Sequence, residues 1–272
     1  MKRKTSLILG FLLAVGLFMG CSRIDSLKVK YGMKNLDFEF MTTGDIDSII
    51  IQSTRDPGFR FIVTDPSTIR ELYTSLSSAK KTTERITHDA DYIFEFHDLD
   101  GNVRKYSYVA GMSDQQRANF YNEEDSYIVT DRIDNNLIRN LYSLRKPKYF
   151  EEIYYGTLLE LMASLREEFP DKTMGIRLYG DSDILKYQLS KDIENFRTEA
   201  LQWNTVVLNP GEKSDIVLEV KTQGFTTLVY KAVVTLKMES ESMSRNYYIY
   251  GKYSNDLTGW ETLISETKPE GF

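Results

Sequence analysis

The chain has 272 residues and a formal net charge of −6. This acidic balance disfavours nucleic acid and anionic lipid surfaces as direct electrostatic partners. Hydrophobic residues make up 41% of the chain, enough to build a core, which excludes a disordered protein.

The first 21 residues carry the most specific pattern. Three basic residues at positions 2–4 precede an uncharged apolar run over 7–19, which Gly20 and Cys21 close. A charged start, an apolar middle and a small residue at the cleavage site predict a secretory signal peptide over residues 1–20. Its removal would take away three positive and no negative charges, so the net charge would change from −6 to −9.

The stretch Leu17-Phe18-Met19-Gly20-Cys21 resembles the lipobox of bacterial lipoproteins, although Phe18 departs from the usual leucine. The resemblance implies that the Cys21 thiol carries a diacylglycerol and that the chain is cut just before it. Two acyl chains make a durable anchor, so we expect the protein on the extracytoplasmic face of the cell membrane. Two alternatives stay open. One is a plain secreted protein. The other is an uncleaved anchor, for which the run is shorter than the roughly 20 residues that span a bilayer.

Residues 21–45 are predicted to form a tether that becomes an edge strand at Phe38-Glu39-Phe40. Asp65 and Pro66 then have the residue types of a helix N-cap and first position. Asp100-Gly101 is a strong hairpin signal between two alternating runs. The predicted strands lie at 48–52, 59–63, 92–96, 103–109 and 127–129, and the predicted helices at 66–76 and 131–144.

Pro147, inside a basic cluster, is predicted to separate the two halves of the chain. Beyond it we expect a long helix, a strand, a second helix and then a run of strands, with turns at 209–211 and 223–224. Residues 266–272 are expected to fray. The predicted helices span 149–169 and about 182–202, and the predicted strands 174–179, 205–208, 215–221, 225–238 and 246–253.

These elements predict an α+β fold of two small domains, each an antiparallel meander packed with amphipathic helices. We place the N-terminal domain at residues 46–145 and the C-terminal domain at 149–265. With the one cysteine lipidated, no disulfide would be available, and packing would have to stabilise both domains.

A longer pattern in the first half covers roughly residues 45–145. It comprises a strand, Asp65-Pro66, a helix ending at Lys80-Lys81, then Asp91-Tyr92-Ile93-Phe94-Glu95-Phe96 and a Gly101 hairpin into Tyr106-Ser107-Tyr108. This pattern resembles small uncharacterised lipoproteins of Gram-positive bacteria of the YhfM type. That family has no established activity, so the resemblance implies a location and no chemistry.

Metal and imidazole chemistry have few candidate residues. Asp98, Asp100 and Asn102 alternate around Gly101, but a calcium loop of the EF-hand type needs its glycine at the sixth place and a glutamate at the twelfth. The only histidines, His88 and His97, lack the spacing of a zinc site. We therefore predict no metal site, no cofactor and no catalytic histidine.

Acidic residues offer the main enzymatic alternative. Glycoside hydrolysis needs two carboxyl groups about 5–9 Å apart across a cleft. Folding would have to bring two of the acidic groups together, because neighbours on one surface do not give that geometry. The groups are Glu123-Glu124-Asp125, Glu151-Glu152, Glu167-Glu168 and Asp181-Ser182-Asp183.

An aromatic row near the C-terminus is the candidate binding surface. It consists of Tyr247, Tyr248, Tyr250, Tyr253 and Trp260, and the alternation places tyrosine on both faces of a strand. Such rows bind sugars or protein partners, because they give contact area at low entropic cost. They also pack the core and edges of β-sheets, and both readings stay open.

The first functional hypothesis is a non-catalytic binding module, anchored by its lipid, that holds an envelope protein or a cell-wall polymer. The alternatives are an envelope hydrolase that uses paired carboxylates and a small-ligand carrier. The carrier would need a deep apolar pocket between the two halves.

Overall fold

The computed structural model describes residues 34–42, 46–112, 116–130, 133, 146–256 and 258–272. They form two β-sheets with separate hydrophobic cores, each packed against helices, which confirms the α+β class with two sheet-based domains. The signal peptide, Cys21 and most of the helix predicted at 131–144 lie outside the described residues. No helix in the described ranges is both long and apolar enough to cross a membrane.

The N-terminal sheet is antiparallel throughout, with seven strands in the order β2-β1-β4-β5-β6-β7-β3. The predicted hairpins form because turn residues separate alternating apolar runs. The strands are β1 Ile46–Ser53, β2 Arg60–Val63, β3 Lys80–Lys81, β4 Tyr92–Asp98, β5 Val103–Tyr108, β6 Phe120–Tyr121 and β7 Ser126–Ile128.

Helix α1, Pro66–Leu76, covers the inner face of this sheet and confirms the first helix prediction. The Asp65 carboxylate caps it by accepting the Thr68 N–H at 2.9 Å. Ile69 and Leu72 are buried along one face of the helix, as the i, i+3 spacing requires.

The edge strand predicted at Phe38-Glu39-Phe40 is wrong, because Glu39–Met41 is a short 3-10 helix. The tight turn places Phe38 and Met41 on one side, and both side chains are buried. Phe38 packs against the Tyr127 ring, with centroids 4.9 Å apart. Core packing therefore overrides the alternation that suggested a strand.

The C-terminal sheet has six strands in the order β13-β12-β11-β10-β8-β9. Strands β10 to β12 form the predicted antiparallel meander, and β13 extends it by one antiparallel strand. Strands β8 and β9 add a parallel edge, since β8 pairs in parallel with both β10 and β9. The strands are β8 Met174–Arg177, β9 Thr205–Val207, β10 Ile216–Phe225, β11 Val229–Met238, β12 Met243–Ser254 and β13 Gly259–Ser265.

Two details of this sheet differ from the sequence-based expectation. Strand β13 was not predicted, although Trp260 and Ile264 alternate towards the core. The turn expected at 223–224 is a β-bulge, where the register shifts between Thr222 and Gly224. Gly224 has a φ of 150°, a conformation that glycine adopts readily, so the strand continues to Phe225.

Helix α2, Thr157–Glu168, is preceded by one π-helical turn, Glu152–Gly156, within the predicted span of 149–169. This π turn lies on β12 at Gly251. A Cβ atom at Gly251 would stand 2.5 Å from Ile153 Cδ1, so the absence of a side chain permits the close approach.

Helix α3, Ser190–Ala200, begins eight residues later than the expected start at 182. Asp181, expected at the start of this helix, instead accepts the Thr222 N–H at 2.9 Å and the Thr222 hydroxyl at 2.8 Å. Tyr187 is buried in the core, and Gln188 is extended. Residues 185–187 form a separate 3-10 turn, and the α-helix starts only after the extended Gln188.

We predict that Gly251→Ala lowers the free energy of unfolding by about 1–3 kcal/mol, because the new methyl group overpacks Ile153. Urea denaturation would measure the loss. Gly180→Ala is the matched control and should be neutral, since nothing lies within 4 Å of its Cβ position.

The double variant Gly251→Ala/Ile153→Val should lose less stability than the sum of the two single variants, because valine lacks the clashing Cδ1 atom. Strictly additive losses would show that the contact with Ile153 does not limit this position.

Candidate functional site

A buried carboxylate joins the two domains. Asp91, just before β4, is 2% exposed. Its Oδ1 lies 2.6 Å from Arg55 Nη1 and accepts the Ser190 N–H at 2.8 Å. Its Oδ2 accepts the Ala110 N–H at 2.8 Å. Both oxygens are therefore occupied, and one of their partners belongs to the C-terminal half.

Asp91 acts as the N-cap of a helix in the other domain. The residue before α3 is Leu189, whose side chain makes no capping hydrogen bond. The first N–H groups of a helix need acceptors and favour negative charge. The Asp91 carboxylate supplies both for Ser190, across 99 residues of sequence. The start of α3 is thus set from outside its own domain.

Further contacts surround this cap. Arg55 donates to the Gln188 carbonyl oxygen at 3.3 Å and to the Ser190 hydroxyl. Lys191 Nζ donates to the Gly111 carbonyl oxygen at 3.0 Å. Leu189 packs into the N-terminal core. Residues 188–191 therefore dock into the N-terminal domain as one segment.

The pKa of Asp91 is raised by burial, and the charge of Arg55 and the two backbone N–H donors act in the opposite direction. A carboxyl group that meets only donors at both oxygens has no acceptor for a proton of its own. The geometry therefore suits the ionised form paired with Arg55.

A cleft of about 650 Å³ opens beside this junction, within the size range of small-molecule sites. Leu178 and Leu208 are buried at its surface, while Arg197 and Glu194 form an ion pair of 3.1 Å on its wall. The Nδ1 atom of His88, another lining residue, is buried with no hydrogen-bond partner among the described residues. The cleft thus mixes apolar and charged surface.

The acidic groups considered for hydrolysis lie apart from this cleft. None of the residues in those groups is among the described residues that line it. Asp181 is the only buried member, and burial raises its pKa. Two of the exposed members form surface ion pairs, Glu151 with Lys146 at 2.8 Å and Glu168 with Arg245 at 2.9 Å.

The histidines and the Asp98 loop also have local contacts. His97 Nε2 lies 3.3 Å from Glu95 Oε2 on β4. Asp98 accepts the Asn102 N–H at 2.7 Å, which closes the hairpin turn. Among the described residues, no group of three or more His, Cys, Asp or Glu side chains is arranged to hold a metal ion.

Asp192, in the first turn of α3, has a strongly perturbed carboxyl group. Burial raises its pKa to about 6, and the negative charges of Glu151 and Asp91 act in the same direction. Lys146 and Lys191 lower it. The acid therefore titrates at the domain junction within a mildly acidic range.

The predicted aromatic row divides between the two faces of β12 and β13. Tyr247 and Tyr253 are buried on the inner face, and Trp260 packs against the same core. The Trp260 indole N–H donates to the Lys148 carbonyl oxygen at 2.7 Å. These three residues therefore pack inwards, and Trp260 also ties Lys148 to the sheet.

Tyr248 and Tyr250 lie half-buried on the outer face of the sheet. Phe272 meets the Tyr248 ring edge-on, with centroids 5.3 Å apart. Leu263, opposite Tyr250 on β13, is 50% exposed. Phe272 and Leu263 were not predicted to join this surface, because β13 was missed and residues 266–272 were expected to fray. We call these four residues the outer aromatic surface.

We predict that Asp91→Ala lowers the free energy of unfolding by about 3 kcal/mol or more, since it leaves Arg55 and two N–H groups without their acceptor. Asp65→Ala is the matched control, an exposed cap on α1 whose loss costs about 1 kcal/mol. Chemical denaturation would compare the two. Equal losses would show that Asp91 acts as an ordinary surface cap.

We predict that burial of Asp192 gives stability a pH dependence. Its pKa is about 6 in the folded state against 3.8 for the ordinary carboxyl, so the native state binds more protons between these values. Its contribution to stability therefore falls as pH rises from about 4 to 6 and is constant above that, by at most about 3 kcal/mol.

Asp192→Asn should remove this fall, and the exposed Asp183→Asn should not. Urea denaturation of the parent chain and the two variants between pH 4.5 and 7.5 would measure how the free energy of unfolding of each changes with pH. Parallel curves for the parent and Asp192→Asn would contradict the prediction.

Comparison with known proteins finds a similarity in the N-terminal half of the chain. A family model described as YhfM protein matches residues 42–147. This match confirms the resemblance seen at residues 45–145. No curated protein and no solved structure matches the chain. Over residues 42–147, which contain the entire N-terminal sheet, the chain is thus similar to the YhfM family.

Proposed function

We propose that this chain is a lipid-anchored protein on the extracytoplasmic face of the cell membrane that acts as a non-catalytic binding module. The N-terminal pattern ending at Cys21 supports the anchor, because a charged start, an apolar run and a small residue before cysteine suit export and lipid attachment. The binding partner is an envelope protein or a cell-wall polymer.

The outer aromatic surface is the observation that carries the binding role. Helices α2 and α3 pack on the inner face of the C-terminal sheet, whereas the outer face keeps Tyr248, Tyr250 and Leu263 at least partly exposed. Aromatic rings grouped on a solvent-facing sheet offer contact area that loses little conformational entropy on binding. The sheet beneath them is held by its strand register and needs no rearrangement to present them.

We predict that Cys21→Ala moves the protein from the membrane fraction to the soluble extracytoplasmic fraction, since the thiol is the lipid attachment point. Ser22→Ala is the matched control and should stay with the membrane. Fractionation of intact cells followed by immunodetection would measure the distribution. Full membrane retention of Cys21→Ala would contradict the anchor.

The binding role is tested in the same cells with a photoreactive benzoylphenylalanine at one position at a time. Crosslinked products are expected at position 250, on the outer aromatic surface, and should decrease when Cys21→Ala is added. Position 179 is the control, because Tyr179 is a 46% exposed tyrosine that lines the cleft. Products at 179 and none at 250 would overturn the outer-face proposal and favour a carrier.

A further inference from the structure

We propose that the outer face of the C-terminal sheet binds a linear glycan that carries phosphodiester groups. This inference rests on the proposed function and names the chemistry of the partner at the outer aromatic surface. It follows from the charge of the face, from the arrangement of its lysines and from the position of its tyrosines.

The outer face is basic although the chain as a whole has a net charge of −6. Its strands direct five basic side chains and two acidic ones outwards, as the strand pairing requires. They are Arg177, Lys221, Lys231, Lys237 and Lys252 against Glu219 and Glu261. A concentration of one charge sign on an otherwise oppositely charged body favours a partner of the other sign.

Three of the lysines remain after internal pairing. Glu219 lies 2.8 Å from Arg177 Nη1 and 2.6 Å from Lys237 Nζ, so these three residues form one ion-paired cluster in which one of the two positive charges is offset. In the described part of the chain, Lys221 and Lys252 have no ion pair. They and Lys231 therefore carry most of the positive charge of the face, although Glu261 is the cross-strand neighbour of Lys252.

The strand register places these three lysines on a diagonal line. Lys221 on β10 is opposite Val233, and Lys231 on β11 is two residues from Val233. Lys231 is opposite Tyr250, and Lys252 on β12 is two residues from Tyr250. Diagonal neighbours on one face of a sheet lie about 7–8 Å apart. A row of cations at this spacing matches a chain with repeated negative charges better than a single anion.

The outer aromatic surface lies beside this line. Tyr250 is the direct cross-strand neighbour of Lys231, whose Nζ is 5.8 Å from the centre of the tyrosine ring. Tyr248 occupies the next row, opposite Val233. Flat rings between charged groups can receive the apolar C–H face of a sugar while the lysines hold the phosphates. This alternation is why we infer a glycan and not a simple polyphosphate.

The charge distribution of the chain also favours a flexible anionic polymer, rather than an anionic membrane surface, as the partner of this face. A bilayer would bring many like charges close to the acidic remainder of the chain, whereas a linear polymer contacts only the lysine row. Lys231 Nζ donates to the Gly271 carbonyl oxygen at 2.6 Å, so the middle cation of the row is held in place.

The test uses the full chain, purified in non-ionic detergent, and a fluorescently labelled glucosylated poly(glycerol phosphate) as the probe. Anisotropy titrations at several salt concentrations should give a log–log slope of about −2, from three lysines at about 0.7 each. Neutral dextran of similar length should not bind. Tyr250→Ala should weaken binding of the glucosylated polymer more than that of the unglucosylated one.

The double variant Lys221→Gln/Lys252→Gln keeps Lys231 and its contact with Gly271. It should weaken binding by on the order of 30-fold at low salt and reduce the slope to about −0.7. Lys213→Gln, at an exposed lysine in the loop between β9 and β10, is the matched control and should bind like the parent. Thermal melting of each variant checks that the fold is retained.

The inference is overturned if the double variant binds like the parent, if affinity does not depend on salt, or if dextran binds equally well. It is also overturned if vesicles containing phosphatidylglycerol bind and the polymer does not. Crosslinking of a protein at position 250 without polymer binding would refute the glycan and leave the proposed function standing. If neither crosslinked products at position 250 nor polymer binding is found, the proposed function is refuted as well.

Discussion

The arrangement of the two domains depends on the Asp91 carboxylate. It directly precedes β4 of the N-terminal sheet, yet it accepts the first N–H of a helix in the other domain and pairs with Arg55. The carboxylate is buried away from water. Loss of any one of its partners would therefore leave part of its charge uncompensated, which is energetically costly. Segment 188–191 is thereby fixed against the N-terminal core, and the cleft beside it takes its shape from the same contact.

Local signals in the sequence account for the elements that were predicted correctly. Asp65 and Pro66 mark the start of α1 because capping involves residues close in the chain. The hairpin around Gly101 forms as expected, with a φ of 85° at the glycine. Alternating strands in the last third gave the meander because each strand pairs with the next one along the chain.

Interactions between distant residues account for the errors. The late start of α3 depends on Asp181 binding Thr222 and on Asp91 binding Ser190, and neither pairing leaves a pattern within the helix itself. The bulge at Gly224 was predicted as a turn, because glycine is common in turns and in β-bulges alike. Alternation divided the aromatic row between two faces, but only the fold shows that Tyr247 is inside and Tyr248 outside.

The cap that Asp91 provides also implies an order in which the two domains form. Synthesis runs from the N-terminus, so Asp91 and Arg55 emerge long before Ser190 and can be in place when it appears. Helix α3 has no side-chain cap of its own at Leu189. The hydrogen bonding of its first turn is therefore completed by the N-terminal domain, which makes the first domain a template for this part of the second.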